Sequence, residues 1–349
     1  MELQRICSKD QPQLVAFAES LIGGRTENQD SYGWKNTRRG YLVTVCDGMG
    51  GGPGGKTASS IAVKAIIAGI EEGGDDESIV TLINKAFQKA NAAILEAGEG
   101  QPSLKGMGST ATLLLISETS AHIAHVGDSR VYQLRGKKKV FRTFDHSVVF
   151  EMVQKGFLTE EQARLSAQSN VITRALGIKP EVKVDVEEVS YRKGDRFLLC
   201  TDGIHGTMPE KELITLLANE KNPLDMITHD VATFVDNLGK SSGNGHDNLT
   251  LAVIELKKNS SHSSQRWKWK KTLMFLLLFL LCSSLTLNFL QYYQLKEKKQ
   301  SNNSQTEVRA HSEDGNDSIK KVSPDSALTQ EKEDGSIQTP INKLHKTIE

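Results

Sequence analysis

Apolar residues recur along the N-terminal three quarters of the chain in two rhythms. Short runs that alternate or stay apolar predict strands over Leu14 to Glu19, Tyr41 to Cys46, Thr110 to Ile116, Ala121 to Val126, Arg130 to Leu134, Val182 to Val189, Arg196 to Thr201 and Leu249 to Leu256. Helical spacing predicts two helices between Thr57 and Gly98, the second with Val80, Ile83, Phe87, Ala90 and Ile94 on one face. A further helix is predicted from Pro209 to Asn219, and a last one presents Leu224, Ile227, Val231, Phe234 and Leu238 before Gly239. The turns between Thr110 and Leu134 are too short for crossover helices, so those three strands are expected to be antiparallel neighbours. Strands in runs and helices in runs imply an α+β fold, with helices packed on antiparallel sheet in place of an alternating βαβ sheet.

Past this region the pattern changes. Thr272 to Leu295 holds no charged residue, and its apolar core supplies the ~20 residues that a spanning helix needs. A single C-terminal transmembrane helix is therefore expected over 272–292, near Leu273 to Leu290. A basic juxtamembrane linker precedes it over 257–271, with Lys257, Lys258, Arg266, Lys268, Lys270 and Lys271 and no acid. The positive flank places the N-terminal side in the cytoplasm. The start of the chain lacks a basic region followed by a continuous apolar segment, so nothing there is expected to export the domain. The chain divides accordingly into an N-terminal extension (1–12), a globular domain (13–256), linker, helix, and a polar tail (293–349) without apolar periodicity, expected to be disordered and extracytoplasmic. The expected location is the cell (inner) membrane, single-pass, with the globular domain in the cytoplasm.

Charge balance, 43 basic against 43 acidic residues, gives no reason to expect a nucleic-acid partner. Cys7, Cys46, Cys200 and Cys282 form no C-x-x-C pair and read as reduced thiols in a reducing compartment, which also argues against structural zinc.

Candidate chemistry centres on Tyr41 to Thr57, YLVTVCDGMGGGPGGKT, where a strand ends on Asp47 and opens into glycines. A carboxylate delivered onto bare backbone suits a divalent metal, held by Asp47 and the Gly48 carbonyl. Gly50 to Thr57 also fits the phosphate-cradling pattern G-x-x-x-x-G-K-[ST], which would make the chain a P-loop nucleotide hydrolase. That loop belongs in a parallel sheet, and the nucleotide reading leaves Arg25, Asp30, Asp128 and Asp247 without a role. Five acids sit at strand ends or adjacent turns: Asp30, Asp47, Asp128, Asp202 and Asp247. Converging carboxylates repel unless cations neutralise them, and oxygen-only ligands select magnesium or manganese.

The order and flanks of these residues resemble the protein phosphatase 2C family, the metal-dependent serine/threonine phosphatases, in their bacterial form. The resemblance covers Gln13 to Leu256. It rests on Arg25 to Asp30, Val45 to Gly51, Gly108 to Thr112, His125 to Arg130, Asp145-His146-Ser147, Asn170 to Gly177, Cys200 to Gly203 and Asp247 to Thr250. It implies a four-layer αββα sandwich of two antiparallel sheets flanked by helices, and hydrolysis of phosphoserine and phosphothreonine on proteins by a water bridging two manganese or magnesium ions. By the same resemblance Asp47 bridges the metals, the Gly48 carbonyl holds one, and Asp202 and Asp247 hold the other. Asp128 matches the ligand of a third, weaker metal. Arg25 binds substrate phosphate, Gln29 and Asp30 hydrogen-bond waters on the metals, and Asn248 supports the ligand beside it. Met49 stands where some family members carry a histidine that protonates the leaving group. His146 and His205 are nearby in the motifs, though ordinary turn roles suit them better. Gly206 and the loop residues Gly52 and Lys56 also depart from the family pattern. The implied partners are phosphorylated serine/threonine proteins, among them a membrane-associated serine/threonine kinase. A catalytically inactive phosphoprotein-binding module would have lost metal ligands, and none of the four is missing.

Overall fold

The computed structural model describes residues 3–8, 13–50, 53–74, 76–243, 245–257 and, beyond these, 283, 284, 287, 289–296 and 298. The chain divides into two compact units, 1–265 and 266–349. In the second, the described residues are helical, and among the described residues no helix is long and apolar enough to cross a membrane. The run expected to span lies for the most part outside the described residues, as do the linker from 258, Cys282 and the tail beyond 298.

Within the first unit the chain forms, in order, β1 (Gln4–Arg5), β2 (Leu14–Leu21), β3 (Asp30–Thr37), β4 (Gly40–Met49), α1 (Gly54–Glu72) and α2 (Ile79–Gly100). There follow β5 (Gly108–Ser109), β6 (Ala111–Ile116), β7 (Ala121–Val126), β8 (Arg130–Arg135), β9 (Lys138–Arg142), α3 (Val148–Gln154) and α4 (Glu160–Arg164). The last stretch holds β10 (Asp185–Val189), β11 (Asp195–Cys200), α5 (Asp202–His205), α6 (Glu210–Leu217), α7 (Leu224–Ser241) and β12 (Leu249–Leu256). One sheet has the order β1-β2-β12-β11-β8-β9 and the other β10-β7-β6-β4-β3, with β5 paired to β4, and every pairing is antiparallel.

Side chains on a strand point alternately to its two faces, and here both faces are covered. On β4, Leu42 and Cys46 enter the core beneath α1 and α2, whereas Val43 and Val45 enter the core between the sheets. On β11, Phe197 and Leu199 fill that same middle layer, while Leu198 and Cys200 pack toward α5, α6 and α7. The result is the expected αββα layering. It also explains why these strands read as nearly unbroken apolar runs.

Several expectations need correction. Strands β7 and β8 are not neighbours: the three-residue turn 127–129 carries the chain from one sheet to the other. Gly127 makes this corner with φ +99°, and a Cβ there would lie 2.7 Å from the Thr110 side chain. Strand β10 starts only at Asp185, three residues into the predicted run. Helix α2 continues past Gly98 to Gly100 and α7 continues past Gly239 to Ser241. Gly239 is small because His246 packs on it, a Cβ there falling 2.3 Å from the ring, and not because the helix stops. Val80, Phe234 and Leu238 are exposed, their places on the buried faces being taken by Leu82, Val235 and Ala232.

Candidate active site

At one end of the sandwich both sheets deliver acids to a common cavity. Asp30 opens β3 and is the direct cross-strand partner of Asp47 on β4. Asp202 starts α5 immediately after β11, Asp247 precedes β12, and Asp128 sits on the corner between β7 and β8. Asp47, Gly48, Asp128, Asp202, Asp247, Arg25 and Gln29 line one cavity of about 450 Å³, and Asp30 lies buried behind it.

Short polar side chains set into the apolar strands hold this arrangement. Thr110 Oγ1 accepts a hydrogen bond from Asp47 N at 2.9 Å and is itself 2.7 Å from Ser129 Oγ, so the two sheets are tied directly behind Asp47. Thr201 Oγ1 donates to Asp30 Oδ2 at 3.0 Å and accepts from Thr250 N at 3.0 Å. Asn248 accepts from Gln29 N at 2.8 Å and donates to the carbonyls of Ile22 and Glu27 at 2.8 and 2.9 Å, which fixes the loop that carries Arg25. Gly48 admits the start of α1, since a Cβ at that position would stand 1.9 Å from the Gly55 carbonyl oxygen.

Electrostatically the site is under stress. Burial, reinforced by the charge of Asp202 and Asp247, pushes the Asp30 carboxyl up to about 7. Burial and the charge of Asp247 push Asp202 up to about 6. Asp47 and Asp128 are raised well above the carboxylate range, again by burial first and then by neighbouring acids. Asp30 Oδ1 and Asp202 Oδ1 are buried without a hydrogen-bond partner. Hard oxygen donors in excess of protein cations, two of them orphaned, fit divalent magnesium or manganese. Asp47, Gly48, Asp202 and Asp247, with Asp128 alongside, are the cavity-lining residues whose oxygens could hold such ions.

Arg25 stands at the rim, half exposed, with Nη2 donating to Asp247 Oδ2 at 2.8 Å. Its planar fork keeps further donors for a phosphate. Lys56 does not reach into a phosphate loop: its Nζ donates to the Asp30 carbonyl at 2.6 Å and to Ser31 Oγ at 3.2 Å. Strand β4 is also antiparallel to both β3 and β6, so the nucleotide reading loses its sheet as well as its lysine. Gly51 and Gly52 lie outside the described residues. His205 is buried with Nε2 3.0 Å from the Asp128 carbonyl, and burial and Arg130 lower it well below the usual histidine range, so it is not a reserve of acid. Cys46, Cys200 and Cys7 are buried free thiols, with Cys46 pushed up to about 12 by burial. Reading by motif gave no role to Thr110, Ser129 or Thr201. Their signal was a hydroxyl repeatedly breaking an otherwise apolar strand end.

The family model for protein phosphatase 2C matches residues 19–242, a span that contains Arg25, Asp30, Asp47, Asp128 and Asp202 and ends short of Asp247. The serine/threonine phosphatase stp of Listeria innocua is 32% identical over 235 residues, 66% of this chain and 91% of that protein. Among solved structures, the serine/threonine phosphatase Stp1 of Staphylococcus aureus is similar with a TM-score of 0.64 at 26% identity, covering 70% of this chain and 95% of that one. The catalytic domain of the serine threonine protein phosphatase PstP, solved in complex with two manganese ions, gives a TM-score of 0.60 at 29% identity over 70% of this chain and 99% of its own.

Proposed function

The chain belongs to the protein phosphatase 2C family and is a serine/threonine protein phosphatase of that type, and from this premise we propose that it works with two manganese or magnesium ions from a membrane-tethered position. Support for the metal site comes above all from one observation: Asp202, a ligand in the reading above, has a buried carboxylate oxygen without a partner and lines a cavity that Asp47, Asp128 and Asp247 also line. When bound, the cations supply Lewis-acid activation of water and neutralise phosphoryl charge.

The protein's own part is to bind and orient. Arg25 offers guanidinium donors to two phosphate oxygens, and its loop is held by the three hydrogen bonds of Asn248. Asp30, held at Oδ2 by Thr201, keeps its other carboxylate oxygen buried and unpartnered beside Asp47, where it would orient a water of the site. Thr110, tied to Ser129, keeps Asp47 from retreating when charge changes in front of it. Met49 lines the cavity and has no proton to give a leaving alkoxide.

For the tether, support comes from the uncharged run Thr272 to Leu295 and its basic flank. In this reading the catalytic domain faces the cytoplasm at the cell membrane and acts on phosphoproteins held there, a membrane-associated serine/threonine kinase among them, at raised effective concentration. The deciding experiment uses full-length protein in mild detergent and a phosphothreonine peptide, with Mn²⁺, Mg²⁺ or chelator, beside Asp202→Asn. Release should need metal and vanish in the variant, whose melting temperature in chelator should not fall. Hydrolysis in chelator, or near-normal turnover by Asp202→Asn, would remove the metal assignment.

A further inference from the structure

His125, His146 and Asp185 bring ligand-type atoms within 4.8 Å of one another outside the acid cluster, which invites assignment as a second metal site. Their hydrogen bonds argue otherwise. Gly127 N, which can only donate, lies 3.1 Å from His146 Nδ1, so Nδ1 is the acceptor and the single ring proton of the neutral imidazole sits on Nε2. That Nε2 is 3.0 Å from Asp185 Oδ2, to which it donates. His146 therefore has no lone pair left for a cation. Arg174 Nη1 also stands 3.0 Å from His146 Nε2, but its two protons go to Asp185 Oδ1 at 2.8 Å and to the Lys183 carbonyl at 3.1 Å, so Nε2 keeps its own proton and the guanidinium supplies the positive charge that Asp185 faces. Burial and the stacked ring of His125, centroids 4.4 Å apart, lower His146 to about 4, which keeps it in the neutral form this pattern requires.

What His146 joins is more informative. Toward the acid site it grips the corner that carries Asp128 from both sides, its backbone N donating to the Gly127 carbonyl at 3.0 Å while Nδ1 takes the Gly127 N–H. With a glycine at positive φ the corner has little stiffness of its own, and beyond His146 it is held by the 3.0 Å contact of His205 with the Asp128 carbonyl and by the 2.7 Å contact of Ser129 with Thr110. Away from the acid site His146 closes the neck of the segment 148–171. Thr173 N donates to its carbonyl at 2.8 Å, Ser147 pairs with Ile172, and Nε2 engages Asp185, which in turn accepts from Arg174. That segment carries α3 and α4 with their own apolar cluster of Val149, Phe150 and Ala163, and it walls a second groove, about 220 Å³, that opens beside Arg25 and Asp202.

We propose that His146 is a positioning residue with two separable duties: Nδ1 fixes the corner bearing Asp128, and Nε2–H, through Asp185 and Arg174, fixes the wall of the groove beside Arg25. The inference rests on the phosphatase reading and adds to it a link between the weaker metal position and the groove wall.

Two substitutions separate the duties. His146→Asn keeps an acceptor near Nδ1 and loses reach to Asp185, and His146→Gln does the reverse. In full-length protein, calorimetric titration with Mn²⁺ should show the weakest binding step loosened about 3- to 10-fold in His146→Gln, with KM for phosphothreonine peptide unchanged. His146→Asn should keep that step, raise KM about 3- to 10-fold, and speed proteolytic cleavage within 148–171. Asp185→Asn, changed at a half-exposed position, should follow the His146→Asn pattern and guards against a fold defect at His146 itself. Identical effects of the two His146 variants on both readouts, no effect of either, or stoichiometric Zn²⁺ binding lost in both would overturn the proposal. Wild-type protein inert with manganese would sink the phosphatase reading, while metal titration and proteolysis would still decide the role of His146.

Discussion

Asp30→Asn should stabilise the chelated protein at alkaline pH while impairing turnover, because the folded chain holds this carboxyl where its charge is unwelcome. Its value is pushed up to about 7 by burial and by Asp202 and Asp247, against ~3.9 for an unfolded chain. The folded state thus binds the proton more tightly, and the associated stabilisation is full below ~3.9 and is lost as pH rises through about 7. Between pH 5.5 and 8 the loss for this one group comes to about 2 kcal/mol, or roughly 4 to 8 °C in melting temperature for a domain of this size. Asparagine removes the titration, and its side-chain oxygen still accepts from Thr201 Oγ1. Buried His125, His146 and His205, all lowered chiefly by burial, contribute a pH dependence of opposite sign, present above ~6.5 and lost on acidification. Both proteins share it, so it cancels in their difference. The assay is thermal unfolding of full-length wild type and Asp30→Asn in chelator across that pH range. A gap that stays constant, or that moves in favour of wild type as pH rises, would refute the reasoning.

Other perturbations test neighbouring parts of the site. Arg25→Ala should raise KM for phosphopeptide by about 10- to 100-fold, the worth of charge-assisted hydrogen bonds to phosphate, with a smaller fall in kcat; a loss confined to kcat would mean that the guanidinium acts only on the transition state. Lys56→Ala, harmless if the lysine were an accident of a glycine-rich loop, should cost about 1 to 2 kcal/mol of stability because it strips a charged donor from the Asp30 carbonyl and from Ser31. Calorimetry should show no Mg-ATP binding in either wild type or variant, and tight binding lost in Lys56→Ala would restore the nucleotide reading.

The layers were legible in the sequence because strands covered on both faces advertise themselves as unbroken apolar runs, as at YLVTVC and RFLLCT. Strand β3, DSYGWKNT, was not. It is held by pairing along β4 and by close packing of α1 on Gly33, where a Cβ would stand 2.6 Å from Val63, and neither leaves an apolar rhythm. Strand β9, KKVFR, is an edge rich in charge, as edges that avoid further pairing tend to be. The acids were legible as a set because each sits beside a strand end. Their supports were not, since Thr110 and Ser129 meet only because the chain changes sheets between β7 and β8, and nothing local in Gly127-Asp128-Ser129 distinguishes a sheet-switching corner from a hairpin turn.

That corner also explains why the site and its stability cannot be separated. Asp30 and Asp47 come from one sheet and Asp202 and Asp247 from the other, so the carboxylates approach one another only when the sheets pack. The packing is driven by a middle layer of fully buried side chains such as Phe197, Val43 and Leu114, which act without regard to charge. Folding therefore forces together acids that repel, with Arg25 bonded to only one of them, Asp247. Divalent cations would relieve this repulsion in the folded chain and find no comparable cluster in the unfolded one, so metal affinity and the gain in melting temperature that metal gives should grow together as pH rises. A protein whose melting temperature ignored Mn²⁺ at pH 8 would be one in which these carboxylates do not bind it.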